Sequence, residues 1–202
     1  MSIGIIDYGA CNILSVYNSL YRLGEDPIII KDPKLLSNCE KLVIPGVGSA
    51  SNCIKNLKKN GLFTEILNFH KEKKPILGIC LGFQIFAKNL FEDGKSNGLG
   101  FINADVIKLN IEKKFNIGWC EVFLENRISR ELDANKISKY YFCHSFFLKF
   151  NNEFEKKYCV GITNSNYQIP SLFIKDNLIG CQFHPEKSQK SGEVIIRYFL
   201  DL

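Results

Sequence analysis

Three short stretches carry residues able to do chemistry. The first, Gly78-Ile79-Cys80-Leu81-Gly82, places a cysteine between two glycines directly after the aliphatic run at 75–79. G-x-C-x-G is the spacing of a nucleophile elbow with sulfur in place of a serine oxygen. In such an elbow the nucleophile sits on a tight strand-to-helix turn, and glycines leave room for neighbouring backbone. The plain alternative is a buried cysteine beside two packing glycines, since free cysteine is among the most buried residue types. An isolated thiol is mostly protonated at neutral pH, so a nucleophilic cysteine needs a base.

The histidines are His70, His144 and His184. His70 falls in a polar helical stretch, 68–74, and is expected to be exposed and inert. His144 follows a β-like run, and His184 ends another and precedes Pro185 and Glu186. Proline biases the histidine before it towards an extended backbone. A carboxylate two residues on can accept the Nδ1–H bond and hold Nε2 towards a thiol, which is the base-and-orienter logic of a triad. Alone, H-P-E also reads as a strand exit with a surface acid. Joined to G-x-C-x-G, it makes Cys80, His184 and Glu186 the candidate triad.

Attack on an amide creates an oxyanion that needs positioned N–H donors. The Leu81 N–H, just after the nucleophile, is one, and the loop Pro45-Gly46-Val47-Gly48-Ser49 can supply another. That loop has a rival reading, because residues 46–51 nearly match the dinucleotide fingerprint G-x-G-x-x-G/A. Ser51 in place of the third glycine, and Glu65 in a helical segment and not at a strand end, argue against it.

The elements that must position these groups follow from periodicity. Short apolar runs at 3–6, 28–30, 42–44 and 75–79 alternate with helical patterns. Ile13, Val16, Tyr17, Leu20 and Leu23 share one helical face ahead of Gly24, and 52–60 and 62–72 read as helices parted by Gly61. A further helix is expected over 81–91. This alternation predicts an α/β chain with a parallel sheet covered on both faces. Ligand sites in such sheets lie at the carboxyl ends of strands, which puts the loops at Asp7, Pro45 and Cys80 on one edge. The second half is β-rich at 101–109, 117–124, 140–150, 158–163 and 171–175. Asp176-Asn177 suits a hairpin turn into 178–183, and a last helix spans 191–201. With no linker, repeat or low-complexity stretch, residues 1–202 are expected to form a single domain.

Bulk properties exclude other classes. Hydrophobic residues make up 46% of the 202, enough for a sizeable core, yet no apolar run approaches the ~20 residues of a membrane span. The opening residues read as a strand and not a signal peptide, so a cytoplasmic protein is expected. Of eight cysteines, Cys39, Cys143, Cys159 and Cys181 sit in apolar segments, and no C-x-x-C pair begins a zinc site. Free thiols in a reducing compartment are expected. The net charge of +5 gathers in lysine clusters at 55–59 and 71–74 without interleaved aromatics, so nucleic acid is not an expected partner.

Taken together, GICLGFQ at 78–84, HPEKS at 184–188 and PGVGS at 45–49 resemble the class I (triad) glutamine amidotransferases. DYGACNILSV at 7–16, GLG at 98–100, IGWCEV at 117–122, YFCHS at 141–145 and HPEKSQ at 184–189 resemble, more narrowly, the glutaminase subunits of imidazole glycerol phosphate synthases. The resemblance runs from Ile3 to the C-terminal helix. It implies a flavodoxin-like three-layer α/β/α sandwich with a mostly parallel central sheet and extra antiparallel strands.

The resemblance also implies roles. Cys80 attacks the side-chain amide of glutamine, and His184, oriented by Glu186, assists proton transfer to the leaving ammonia. A γ-glutamyl thioester forms, and water releases glutamate. The Val47 and Leu81 N–H groups serve the oxyanion, the former after a loop rearrangement. Gly48, Gln84, Ser145 and Phe146 hold glutamine, and His144 adjoins that pocket without being the base. Ammonia passes through a (β/α)₈-barrel cyclase subunit, the heterodimer partner, to give imidazole glycerol phosphate and aminoimidazole carboxamide ribotide in histidine biosynthesis. Asn12 and Trp119 face that partner, and no metal or organic cofactor is implied. The chain departs from the family pattern at Cys11 (usually glycine), Cys120 (usually asparagine) and Ser51-Asn52 (usually Phe-Gly or similar). Paralogous pairs associated with amidating surface sugars make that pathway an alternative ammonia acceptor.

Two further readings belong to other classes. A free-standing cysteine hydrolase or peptidase would share the elbow, but Gln84 and the Glu186 carboxylate argue against it. A catalytically silent binding module has no reason to keep all three triad groups. The residues alone add one point: no second chemical site able to use ammonia is visible, so a receiving partner is expected.

Overall fold

The computed structural model describes residues 2–9, 12–109, 115–164 and 168–202. The first half alternates strands and helices: β1 (Ile3–Ile6), α1 (Ile13–Tyr21), β2 (Ile28–Ile30), a 3₁₀ turn (Pro33–Asn38), β3 (Lys41–Ile44), α2 (Ala50–Lys59), α3 (Leu62–Lys71) and β4 (Ile76–Ile79). There follow α4 (Leu81–Gln84), β5 (Ala87–Leu90), β6 (Ser96–Asn97), β7 (Ile102–Lys108), β8 (Asn116–Leu124) and α5 (Asn126–Glu131). The rest comprises β9 (Ile137–His144), β10 (Phe146–Phe150), α6 (Glu153–Lys156), β11 (Cys159–Asn164), β12 (Gln168–Lys175), β13 (Leu178–Cys181), a 3₁₀ turn (Pro185–Lys187) and α7 (Gln189–Asp201).

Strands β1, β3 and β4 are buried at every position, as a sheet covered on both faces requires. The order of the main sheet is β2-β1-β3-β4-β13-β12-β11-β8-β9. From β2 to β13 the neighbours run parallel, and from β13 to β9 they run antiparallel. Alternate residues of each strand feed opposite layers. Leu42, Ile44 and Ile76 join Leu57, Ile66 and Phe69 of α2 and α3. Val43, Leu77 and Ile79 join Val16 and Leu20 of α1 and Ile195 and Phe199 of α7. This is the expected three-layer arrangement with a mostly parallel sheet and antiparallel additions. A second sheet, β10-β7-β5-β6, packs into the layer of α2 and α3.

Three expectations are corrected. The helix foreseen over 81–91 stops at Gln84, and Ala87–Leu90 is a strand. That segment pairs with β7 (Ala87 opposite Ile102) and β6, so tertiary pairing overrides its helical propensity. The β-run at 140–150 breaks at Ser145: β9 edges the main sheet, whereas β10 belongs to the second. His70 is not exposed. It is half-buried, its ring 4.1 Å from that of Phe101, and burial lowers its pKa. The hairpin turn stands as read, with Asp176 at φ +51° between paired Lys175 and Leu178.

Candidate active site

β4 and β13 lie side by side in parallel, with Ile79 opposite Cys181. The residues that follow them therefore leave the sheet from the same edge, and the Cys80 N–H donates to the Cys181 carbonyl at 2.6 Å. Cys80 has φ +52° and ψ −103°, a backbone that a side chain adopts only under strain. The flanking glycines are steric necessities. A Cβ on Gly78 would lie 2.6 Å from the Phe86 ring and 2.8 Å from the Phe83 nitrogen, and one on Gly82 would overlap the Ile44 carbonyl oxygen. Gly46 does the same for the loop after β3, where a Cβ would come within 2.8 Å of Leu81. The loop at 45–49 thus lies directly on the residue after Cys80. Leu81 opens α4, where first-turn N–H groups have no intrahelical acceptor.

The His184 side chain is 3% exposed, and its Nδ1 lies 2.8 Å from Glu186 Oε1. A carboxylate only accepts, so Nδ1 carries the proton, and the buried Nε2 has no hydrogen-bond partner among the described residues. Burial disfavours the imidazolium, but the neighbouring Cys80 thiol group and the Glu186 carboxylate outweigh it and raise the His184 pKa to about 10. The turn is tied to the edge strand: His184 N–H donates to Tyr141 O at 2.8 Å, and Ser188 Oγ bridges His184 O and the Tyr141 N–H.

His144 has the opposite character. Burial lowers its pKa to about 4, the hydrogen bond to Phe146 O notwithstanding. Nδ1–H donates to that carbonyl at 2.8 Å, which leaves Nε2 to accept from Asn116 Nδ2 at 3.3 Å. Both nitrogens are engaged, so His144 is a neutral strut and His184 is the group able to move a proton. Environments that push two titratable groups apart assign their tasks.

A cavity of about 260 Å³ opens on Cys80. Leu81 and Gln84 border it from α4, Val47 and Gly48 from the loop after β3, and residues 143–146 from the β9–β10 bend. Seven of the sequence-expected residues, Val47, Gly48, Cys80, Leu81, Gln84, Ser145 and Phe146, thus meet at one cavity, with His184 and Glu186 buried outside its lining. Asn12 and Trp119 do not line it. Asn12 is the exposed N-cap of α1, and Trp119 is 48% exposed on β8, edge-on to Tyr141.

Sequence reasoning missed Glu92, Asn116 and Gln182. Glu92 borders the cavity while its Oε2 accepts the Ala50 N–H at 2.6 Å, at the start of α2. Its signal was an acidic pair, Glu92-Asp93, after an apolar run, hidden by the false helix. Cys120 donates to Asn116 Oδ1 at 3.3 Å, so this departure extends the line from His144 towards the surface. Cys11 lies outside the described residues. Ser51 is buried and Asn52 exposed in the first turn of α2, whose N-cap is Ser49. Glu65 sits within α3, away from any strand end. Among the described residues no cluster of His, Cys, Asp or Glu could hold a metal ion.

At the carboxyl edge of a parallel sheet lie a strained thiol beside a cavity and, after the neighbouring strand, an imidazole with a carboxylate on its Nδ1. Comparison with known proteins agrees. The family model for glutamine amidotransferase class-I matches residues 4–201. The chain is 42% identical over 205 residues to imidazole glycerol phosphate synthase subunit HisH 2 of Methanococcus maripaludis, with 98% of each chain covered. It is 40% identical over 200 residues to the HisH subunit of Caldanaerobacter subterraneus, covering 98% of this chain and 96% of that one. PurLQS from Thermotoga maritima shares the fold with a TM-score of 0.76 at 19% identity, over 99% of this chain and 97% of that one. A crystal structure of a glutamine amidotransferase gives 0.76 at 18% identity, over 98% and 97%. The elbow, the H-P-E turn and a match over nearly the whole length lead to one conclusion: the chain belongs to the class-I glutamine amidotransferase family.

Proposed function

We propose that this chain is the glutaminase subunit of an imidazole glycerol phosphate synthase, working as a single domain in the cytoplasm. The observation that carries the reading is Cys80 at the edge of a cavity, with the buried His184–Glu186 pair following the strand parallel to its own. The HisH relatives supply the pathway.

The chemistry follows from the groups present. The Cys80 sulfur attacks the carboxamide carbon of glutamine, and the carbonyl electrons move to oxygen. The Leu81 N–H meets that oxyanion, joined by the Val47 N–H once its exposed loop turns. His184, protonated by the thiol, gives its proton to the leaving nitrogen, and ammonia departs as the C–N bond breaks. Water, deprotonated by His184, then attacks the thioester; glutamate leaves and the thiol is restored. Gly48, Gln84, Ser145 and Phe146 hold the substrate. The Glu92 carboxylate suits the α-ammonium group of an amino acid.

Ammonia needs a receiver, and the chain offers an apolar surface for one. Phe115, Ile117 and Trp119 are 50%, 59% and 48% exposed, and the first two also border the cavity. Exposed apolar groups beside a site mark a docking surface. A (β/α)₈-barrel cyclase subunit docks there, with Asn12 and Trp119 in the interface. No helix among the described residues is long and apolar enough to cross a membrane. No observation favours the surface-sugar pathway over this reading.

Glutamate release from glutamine tests the proposal, measured with and without the cyclase subunit and its nucleotide ligand. Low turnover alone and strong turnover in the complex are expected. Peptide cleavage without glutamine hydrolysis, or no glutamate under either condition, would overturn it.

A further inference from the structure

Gln182 is fully buried one residue past β13. Its backbone N–H is taken by the Ser171 carbonyl at 3.0 Å. Its side chain has two neighbours: Gln84 Nε2 lies 3.2 Å from its Oε1, and Cys80 Sγ lies 3.7 Å from its Nε2. A buried primary amide is costly unless its donors and acceptors are met, so this placement demands a reason.

The direction of these bonds is fixed by chemistry. The chain of amides begins at the Phe146 carbonyl, which can only accept. Gln84 must therefore turn Nε2 towards it, at 2.7 Å. The same Nε2 is the donor to Gln182 Oε1, which obliges Gln182 to present Nε2 to the sulfur. One carbonyl thereby sets the orientation of two amides, as it also sets the His144 tautomer.

On the other side, Cys80 Sγ lies 3.8 Å from the Cys143 carbonyl, which can accept the S–H proton but cannot stabilise a thiolate. The Gln182 N–H does the reverse, since a donor favours the charged acceptor. We propose that Gln182 is a positioning residue of the glutaminase reaction, whose amide N–H holds the Cys80 sulfur as a thiolate in line with the cavity. The proposal rests on the reading of Cys80 as nucleophile. The titratable groups on the elements packed around Cys80 include His184, Glu186, His144, Cys143, Cys181, Tyr140, Tyr141 and Glu92; Gln182→Met retains them all, and Gln182→Glu adds one carboxylate.

The test is alkylation of the full chain with iodoacetamide, read peptide by peptide, with exposed Cys143 as internal reference. Gln182→Met keeps the shape without a donor, and Gln182→Glu keeps it with an acceptor. Near pH 7, Gln182→Met is expected to alkylate Cys80 about tenfold more slowly relative to Cys143, the effect of losing one charge-assisted hydrogen bond, and Gln182→Glu at least as slowly, because its carboxylate also repels the thiolate. Alkaline pH should restore the rate. In the complex with the cyclase subunit, kcat should fall with KM for glutamine little changed. Alkylation of Cys80 at the parent rate in either folded variant overturns the proposal, as does slowing that alkaline pH fails to restore. Glutamine hydrolysis by Cys80→Ala would instead sink the nucleophile reading, so the two failures are distinguishable.

Discussion

At the scale of single residues, His184 and His144 serve one site, and their pKa values move in opposite directions. Glu186 helps raise the first, so Glu186→Gln should lower the pH at which His184 titrates, followed by imidazole NMR. The same variant should lower kcat by roughly 10²–10⁴, the span of general acid–base catalysis. An unchanged titration would contradict the pairing. For His144 the folded value of about 4 lies below the unfolded value near 6.5. The unfolded chain then binds the proton that the folded one refuses. Stability is full above about pH 6.5 and is lost as pH falls towards 4, by roughly 3 kcal/mol. Urea unfolding of the parent and of His144→Gln at pH 7 and near pH 4.5 checks this, with a smaller acid loss expected in the variant. The candidate triad could be read from the sequence because each of its motifs is local. Gln182 and Glu92 were not, because their meaning comes from partners that the chain delivers from far away, Gln84 and Ala50.

At the scale of elements, the elbow is a device for bringing α4 against the ends of β3 and β4. Gly82→Ala sets a Cβ against the Ile44 carbonyl, which is backbone and cannot swing aside. A loss of about 2–3 kcal/mol is expected in urea unfolding. The strained backbone at Cys80 gives a complementary prediction. Gly tolerates φ +52° and ψ −103° better than Ala does, so Cys80→Gly should be more stable than Cys80→Ala by about 1 kcal/mol. Equal stability would mean that the turn stores no strain. The buried strands β1, β3 and β4 and the helices α2 and α3 were legible because unbroken apolar runs and 3.6-residue spacing dominate them. The segment at 85–90 was not. Its residues favour a helix, and only pairing with β7, where Ala87 lies opposite Ile102, decides for a strand. The break at Ser145 was equally hidden, because both halves of 140–150 are β-like and the choice of sheet is tertiary.

At the scale of the whole molecule, the exposed Phe115 and Ile117 beside the cavity, with Trp119 further along β8, form the surface at which the proposed partner docks. Trp119→Ala should leave the fold intact and weaken cyclase binding by about 2 kcal/mol, or roughly thirtyfold in Kd, if Trp119 anchors the interface. Isothermal titration calorimetry measures this, and an unchanged Kd would move the interface elsewhere. The central claim is tested most directly by the complex carrying Cys80→Ala, assayed with glutamine and, separately, with ammonium salt at alkaline pH. The account predicts that glutamine-dependent product disappears while ammonia-dependent product persists. Glutamine-dependent product formed at the parent rate would contradict it.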